Sequence, residues 1–151
     1  MFPSGSKILL VDDSSFARTL IKNSLKELKF SKIIEADSAK AAKGVLTEAE
    51  QLQDPVHLMI LDLHMPSMSG ADLVRWVRGR YVLKALPIII VTSSQEKKEV
   101  LEVGKLGVSH YMLKPTDTAT IRDRLVSTWE KHGRVYYESF KNPKDLSLIH
   151  I

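Results

Sequence analysis

Residues 7–14 read Lys7-Ile8-Leu9-Leu10-Val11-Asp12-Asp13-Ser14, an apolar run that ends in two adjacent carboxylates. A run of this length, bounded by polar residues, is typical of a buried strand. One carboxylate after a strand is often only a helix cap or a turn former. Two adjacent carboxylates indicate that a positive group belongs beside them, and residues elsewhere in the chain can contact the same group.

Composition limits the class of protein. The 151-residue chain has 44% hydrophobic residues and no cysteine. This length suits one domain, and the lack of cysteine excludes a disulfide framework and agrees with a reducing compartment. Residues 1–5 lack the basic and apolar regions of a secretory signal, and the apolar runs are too short to cross a bilayer. We therefore expect a soluble, cytoplasmic protein with no membrane insertion.

The net charge of +4 raises the question of a nucleic-acid partner. The densest basic cluster contains Arg75, Arg78, Arg80 and Lys84. It carries no signature of a DNA- or RNA-binding module, so a solvated helix face is the better interpretation. No direct nucleic-acid partner is predicted.

Short apolar runs alternate with segments of helical spacing along the chain. The five predicted strands are 7–11, 32–35, 56–61, 87–91 and 109–112. The segments that follow them carry apolar residues three or four positions apart, as in Leu73, Val77 and Tyr81. This alternation predicts an α/β fold with a parallel sheet, in either the Rossmann or the flavodoxin-like strand order.

Cap residues and the end of the last helix set the predicted domain limits. N-caps are predicted at Ser15, Ser38 and Ser94. Gly133 is predicted to end the last helix, which makes 1–133 the domain and 134–151 a C-terminal tail with no second domain. Two apolar segments flank Pro143 in this tail. They leave two interpretations open: a segment that folds back on the domain or pairs with a partner, or a linker or cloning-derived end.

Polar residues follow four of the five predicted strands. They are Asp12 and Asp13 after the first strand, Asp62 after the third, Thr92, Ser93 and Ser94 after the fourth, and Lys114 after the fifth. Ligands of doubly wound sheets bind outside the carboxyl ends of the strands, where the strand order reverses. In the order 2-1-3-4-5 the first and third strands are neighbours, which would bring the three carboxylates together.

Such a cluster has predictable chemistry. Neighbouring carboxylates repel one another unless a cation joins them. Oxygen ligands without thiolates or paired histidines favour Mg²⁺, which proteins bind through one or two carboxylates together with phosphate oxygens. Lys114 and the Thr92 hydroxyl would supply charge and a hydrogen bond to a phosphoryl group.

These motifs resemble the receiver domains of two-component response regulators, and most closely the single-domain chemotaxis type. The matching segments, within about residues 5–132, are Val11-Asp12-Asp13-Ser14, Leu61-Asp62-Leu63-His64-Met65-Pro66 with Ser69-Gly70, Val91-Thr92-Ser93, and Tyr111-Met112-Leu113-Lys114-Pro115. The resemblance implies a flavodoxin-like, doubly wound, five-stranded parallel sheet of order 2-1-3-4-5 with helices on both faces.

The resemblance also implies a reaction. Asp62 would accept a phosphoryl group from a sensor histidine kinase or a phosphotransfer protein and become a 4-aspartylphosphate. The Mg²⁺ ligands would be Asp12, Asp13, Asp62 and the backbone carbonyl of His64. Lys114 would contact the phosphoryl group. The protein would then be a phosphoacceptor with self-catalysed transfer and slow autodephosphorylation, not an enzyme.

A switch is implied as well. Thr92 would move towards the phosphoryl group, Tyr111 would swing inward, and the surface of helix four, strand five and helix five would change for a downstream effector. Pro115 is expected to follow a cis peptide bond, and the protein is expected to be a monomer or a phosphorylation-dependent dimer.

Other functions compete with this one. The chain could be the receiver part of a multidomain regulator, but too few residues follow Gly133 for a helix-turn-helix domain unless that regulator is truncated here. A Mg²⁺-dependent phosphohydrolase would need a second Asp where His64 stands. A flavin or nucleotide site is disfavoured because no G-x-G-x-x-G or Walker A motif is present.

Overall fold

The computed structural model describes residues 1–93 and 97–141. The strands are β1 (Lys7–Val11), β2 (Lys32–Ala36), β3 (Leu58–Leu61), β4 (Ile88–Thr92) and β5 (His110–Leu113). The helices are α1 (Ser15–Glu27), α2 (Ala39–Gln51), α3 (Gly70–Arg78), α4 (Lys97–Lys105), α5 (Thr118–Thr128) and, after a π-helical turn at Trp129–Gly133, α6 (Arg134–Ser139). Each predicted strand is present, with ends displaced by at most two residues. Within the described ranges, no helix combines the length and the apolar character that a membrane span needs.

The strands form one parallel sheet in the order β2-β1-β3-β4-β5. This order confirms the flavodoxin-like arrangement and excludes the Rossmann order. Val11 of β1 lies opposite Leu61 of β3, and Leu61 lies opposite Ile90 of β4. Therefore β1 and β3 end level with each other, and β4 continues past them to Thr92. The residues that follow these strands emerge at one edge of the sheet, which we call the carboxyl edge.

Helices cover both faces of the sheet. On one face, Leu9, Met59 and Ile90 belong to a core cluster that includes residues of α2, α3 and α4. On the other face, Leu10, Ile60 and Ile89 pack in a cluster with residues of α1 and α5. Because both faces of the central strands are buried, β1, β3 and β4 are continuous apolar runs without alternation, which explains why their sequence signal is clear.

The three predicted helix N-caps have different outcomes. Ser38 caps α2, since its side chain accepts a hydrogen bond from the Ala41 amide. The prediction of Ser15 is wrong by one residue, because Ser14 keeps an extended backbone and caps α1, whereas Ser15 is already helical. Ser94 lies outside the described residues.

The predicted helix end at Gly133 is also wrong. Gly133 has helical dihedral angles, φ −62° and ψ −42°, and the chain continues into α6. A Cβ atom on Gly133 would lie 2.5 Å from Cζ of Phe2, so the residue is small because an aromatic ring packs against it. The Phe2 ring is only 2% exposed and meets Trp129 edge-on at 5.1 Å, which leaves it little room to move.

The part of the tail that the structure describes folds back on the domain. Tyr136 is buried in the core cluster of α2 and α3, and its hydroxyl donates a hydrogen bond to the carbonyl of Val82 at 3.4 Å. The Tyr137 ring lies 4.6 Å from that of His57, the residue before β3. Residues 142–151 lie outside the described residues, and the division of the chain at 133 and 134 stays a prediction.

The packing of Phe2 on Gly133 gives a double-mutant prediction. Gly133→Ala should lower the free energy of unfolding by about 1–3 kcal/mol, because the added methyl group overpacks the Phe2 ring. In a Phe2→Ala background the same change should be neutral or stabilising by up to about 1 kcal/mol, since alanine favours a helix over glycine. Urea unfolding followed by circular dichroism measures both. Equal effects of Gly133→Ala in the two backgrounds would contradict this contact.

Candidate functional site

Three carboxylates meet at the carboxyl edge. Asp12, Asp13 and Asp62 each offer an oxygen atom within 4.8 Å of the others. Asp12 and Asp62 are buried, whereas Asp13 is exposed. The amide of Asp62 donates to the carbonyl of Val11 at 2.9 Å, which extends the pairing of β3 with β1 past the end of the strand. The sheet order thus brings together the three acidic residues that the strand ends predict.

Lys114 lies between two of these carboxylates. Its Nζ donates a hydrogen bond to Oδ2 of Asp12 and is 3.5 Å from Oδ2 of Asp62. The amide of Lys114 donates to the carbonyl of Thr92 at 2.9 Å, which joins the end of β5 to the end of β4. The Lys114–Pro115 peptide bond is cis, as the resemblance implies.

Backbone amides orient the two buried carboxylates. The amide of Ser14 donates to Oδ1 of Asp12 at 2.9 Å, and the amide of His64 lies 3.4 Å from Oδ1 of Asp62. Arg18, one turn into α1, donates from its guanidinium to the carbonyl of Asp12. This contact could not be predicted from the sequence, because an arginine in the first turn of a helix has no distinctive spacing.

Gly70 fixes the loop that follows Asp62. A Cβ atom at Gly70 would lie 2.4 Å from the carbonyl oxygen of Asp62 and 2.7 Å from Cα of Leu63. The amide of Gly70 also donates to the carbonyl of Leu63 at 2.8 Å. The first turn of α3 therefore packs directly on the backbone of Asp62, and only glycine permits this distance.

The two residues of the expected switch lie at the end of β4 and within β5. Thr92 is the last residue of β4 and is fully buried. Tyr111 lies in β5 and is 46% exposed, so its ring is turned outward in this structure. The imidazole of His64 points to α4, where its Nε2 lies 2.9 Å from a carboxylate oxygen of Glu99. The roles expected of these residues stay predictions.

The electrostatics of the cluster follow from burial and from like charges. Burial raises the pKa of the Asp62 carboxyl, and the charge of Asp12 raises it further, while the nearby Lys114 opposes the shift. Burial alone would lower the pKa of Lys114, but its hydrogen bond to Asp12 and the charge of Asp62 outweigh burial and raise it. The Lys114 ammonium thus contacts two carboxylates of a cluster of three. Oxygen donors in this number and proximity, with no thiolate or imidazole among them, fit a hard divalent cation such as Mg²⁺.

Comparison with known proteins places this geometry in a family. The model of the response regulator receiver domain matches residues 8–126. The chain is 33% identical over 125 residues to the chemotaxis protein CheY-3 of Vibrio cholerae, and this match covers 83% of the chain and 92% of that protein. It is 38% identical over 119 residues to the CheY homolog of Campylobacter jejuni, covering 79% and 88% respectively. The crystal structure of a response regulator receiver protein from Pseudomonas putida superposes with a TM-score of 0.71 at 30% identity, covering 83% of this chain and 98% of that one.

The raised pKa of Asp62 predicts a stability effect with a definite sign. A buried carboxyl whose pKa is above its unfolded value destabilises the fold when it is ionised, so the cost is present at neutral pH and disappears as the pH falls below about 3.9. Without Mg²⁺, Asp62→Asn should therefore raise the free energy of unfolding at pH 7, and the gain should shrink towards pH 4. Urea unfolding in EDTA across this range measures it.

The matched control is Asp123→Asn, which removes one exposed carboxylate from α5. It should change stability little and without this pH dependence. An Asp62→Asn variant less stable than the wild type at pH 7 in EDTA would contradict the assignment of a charge cost to Asp62.

Proposed function

Since this chain belongs to the family of response regulator receiver domains, we propose that it is a phosphorylation-activated response regulator of a two-component system, with Asp62 as phosphoacceptor. Members of this family are phosphoacceptor signalling domains and not enzymes in the usual sense. The observation that carries the proposal is the position of the Asp62 carboxylate, which is buried, 3.5 Å from the Lys114 ammonium and clustered with Asp12 and Asp13.

The transfer step uses groups that the carboxyl edge already holds. A carboxylate oxygen of Asp62 attacks the phosphorus of a phosphohistidine on the donor protein. The new P–O bond forms as the P–N bond breaks, and the leaving imidazole takes up a proton. Transfer of this kind depends mainly on in-line positioning and on neutralisation of the charge on the phosphoryl oxygens. Lys114 supplies one positive charge for this purpose.

The acidic cluster supports a role for Mg²⁺, because it is typical of receiver domains. We propose that Asp12, Asp13, Asp62 and the backbone carbonyl of His64 would hold the ion. When bound, Mg²⁺ supplies positive charge to the phosphoryl oxygens and relieves the repulsion among the carboxylates. Gly70 contributes indirectly, since it holds the backbone of Asp62 against α3.

The proposed output is a change of surface around α4, β5 and α5. The Thr92 hydroxyl would bind the phosphoryl group on Asp62, and the exposed Tyr111 ring would turn inward. Such a link between two sites is typically a coupling free energy of about 1–3 kcal/mol. A downstream effector that binds one arrangement better than the other would then respond to phosphorylation.

Receiver domains interact with histidine kinases and with effectors, and we propose both partners for this chain, with the phosphoryl group arriving from a sensor histidine kinase or a phosphotransfer protein. The chemotaxis relatives support a chemotaxis pathway. We further propose a cytoplasmic location and a monomer or a phosphorylation-dependent dimer. The phosphohydrolase alternative lacks support, because the position of its general acid is His64, whose imidazole faces Glu99.

The phosphoacceptor assignment is tested by intact-protein mass spectrometry. Acetyl phosphate and Mg²⁺ should add one phosphoryl group to the wild type and none to Asp62→Asn. An Asp12→Ala/Asp13→Ala variant should react much more slowly, because the ion that neutralises the phosphoryl oxygens loses two ligands. Asp72→Asn, an exposed acid on α3, is the control and should react like the wild type. Equal phosphorylation of Asp62→Asn at another residue would reject the assignment.

The switch is tested by Thr92→Ala. This variant should still gain a phosphoryl group at Asp62, because Thr92 is not the nucleophile. It should lose the change at Tyr111 and at the amides of β5, which NMR spectra with and without acetyl phosphate report. Thr19→Ala, which removes an exposed threonine hydroxyl on α1, should keep both responses. A full β5 response in Thr92→Ala would show that the coupling does not pass through this hydroxyl.

A further inference from the structure

A cleft lies at the amino edge of the sheet, which is the edge opposite the carboxylates and is formed by the beginnings of the strands. It has a volume of about 480 Å³ and is bordered by the segments before β4 and β5 and by the turn after α5. Among the residues that the structure describes, its charged lining is entirely basic and consists of Arg78, Lys84, Lys105 and Lys131, with the imidazole of His132 beside them. Its volume falls within the range of about 300–1,000 Å³ that is usual for small-molecule sites.

Arg78 is the anchor of this cleft. Its guanidinium donates three hydrogen bonds, to the carbonyls of Leu106 at 3.1 Å, Leu86 at 2.8 Å and Gly107 at 2.8 Å. These bonds fix the position of the charge but do not neutralise it, because all the acceptors are uncharged carbonyls. Burial lowers the pKa of Arg78 to about 10, which shows the cost of holding this cation partly out of water.

The neighbouring arginines of the same basic cluster behave differently. Arg75 forms ion pairs with Asp72 and Glu102, and Arg80 pairs with Glu50 at 2.9 Å. Within the ranges that the structure describes, Arg78 has no carboxylate within ion-pair distance. Cations that are partly buried usually have a counter-ion, so this one is a place where an anion would be stabilised.

The other cations of the cleft are also without carboxylates among the described residues. Lys84, Lys105 and Lys131 form no ion pair there. Burial and the nearby charges of Arg78 and Lys131 lower the pKa of His132, whose Nδ1 lies 3.2 Å from the Ser109 hydroxyl. The cleft therefore presents a concentrated positive charge that no carboxylate of the described residues offsets at ion-pair distance.

The rest of the lining indicates the kind of anion. Leu86, Pro87 and Val135 supply an apolar surface beside the cations, and no phenylalanine, tyrosine or tryptophan of the described residues lines the cleft for base stacking. Several ammonium groups suit a ligand with several charged oxygens. The Arg78 guanidinium, which has three of its five N–H donors on carbonyls, adds a fixed positive charge beside them. A concave site without stacking groups is poorly suited to a nucleic-acid strand.

We propose that this cleft binds a small molecule that carries a phosphate or diphosphate group, held by Arg78, Lys84 and Lys131 at the amino edge of the sheet. The site is separate from the carboxylates and does not depend on the phosphorylation of Asp62. Gly107 has a φ of 82°, a backbone conformation that favours glycine, and in this conformation its carbonyl accepts a hydrogen bond from Arg78.

Inorganic pyrophosphate is a suitable probe, used with the full chain in EDTA at low ionic strength so that no Mg²⁺ is present. Titration followed by amide NMR should give saturable shifts at Gly107, Ser109 and His132. The double variant Lys84→Glu/Lys131→Glu should weaken the affinity by about tenfold or more, because two charge-assisted contacts are lost and two negative charges replace them. Circular dichroism checks that the variant is folded.

The matched control is Lys26→Glu/Lys40→Glu, which makes the same change of net charge on exposed positions of α1 and α2 outside the cleft. It should leave the affinity nearly unchanged, and Asp62→Asn should bind pyrophosphate like the wild type. The proposal is wrong if no shifts appear at the cleft amides, or if the control pair weakens binding as much as the cleft pair. It is also wrong if the protein binds phosphatidylglycerol vesicles and pyrophosphate does not displace them, because the phosphate would then belong to a lipid surface.

Discussion

Repulsion among carboxylates at the end of a buried parallel sheet is the constraint around which this molecule is built. Asp12 and Asp62 follow adjacent strands, so the pairing of β1 with β3 forces them together whatever their charge. The fold offsets part of this cost with the Lys114 ammonium and with the amides of Ser14 and His64. Under the proposed function, a bound Mg²⁺ ion would offset the remaining repulsion.

The side-chain ion pairs that join α4 to its neighbours beside this cluster are weak, although Val103 of α4 is buried in the core. His64 meets Glu99 of α4, and Arg75 of α3 bridges Asp72 and Glu102. Partly exposed ion pairs of this kind contribute only about 0–1 kcal/mol each. By contrast, Gly70 locks the start of α3 against the backbone of Asp62. The proposed switch requires a rigid loop after Asp62 beside an α4 whose ion pairs with its neighbours are weak.

The two edges of the sheet have opposite electrostatic character. The carboxyl edge collects the three aspartates, whereas the amino edge carries the cleft with Arg78, Lys84 and Lys131. A net charge of +4 hides this separation, because it averages over both edges. The folded-back segment with Tyr136 completes the amino edge and covers part of the core that α2 and α3 leave open.

The sequence by itself determined the five strands, the strand-end carboxylates and the family, because these depend on short apolar runs and on residues a fixed distance after them. Only the tertiary structure decided the roles of Gly133, Arg78 and Gly70. Gly133 looked like a helix end but accommodates the ring of Phe2, and Arg78 looked like one member of a solvated face but turns to three carbonyls. Contacts between residues far apart in the chain leave no periodic trace in it, so packing and charge pairing at these positions could be seen only after the chain had folded.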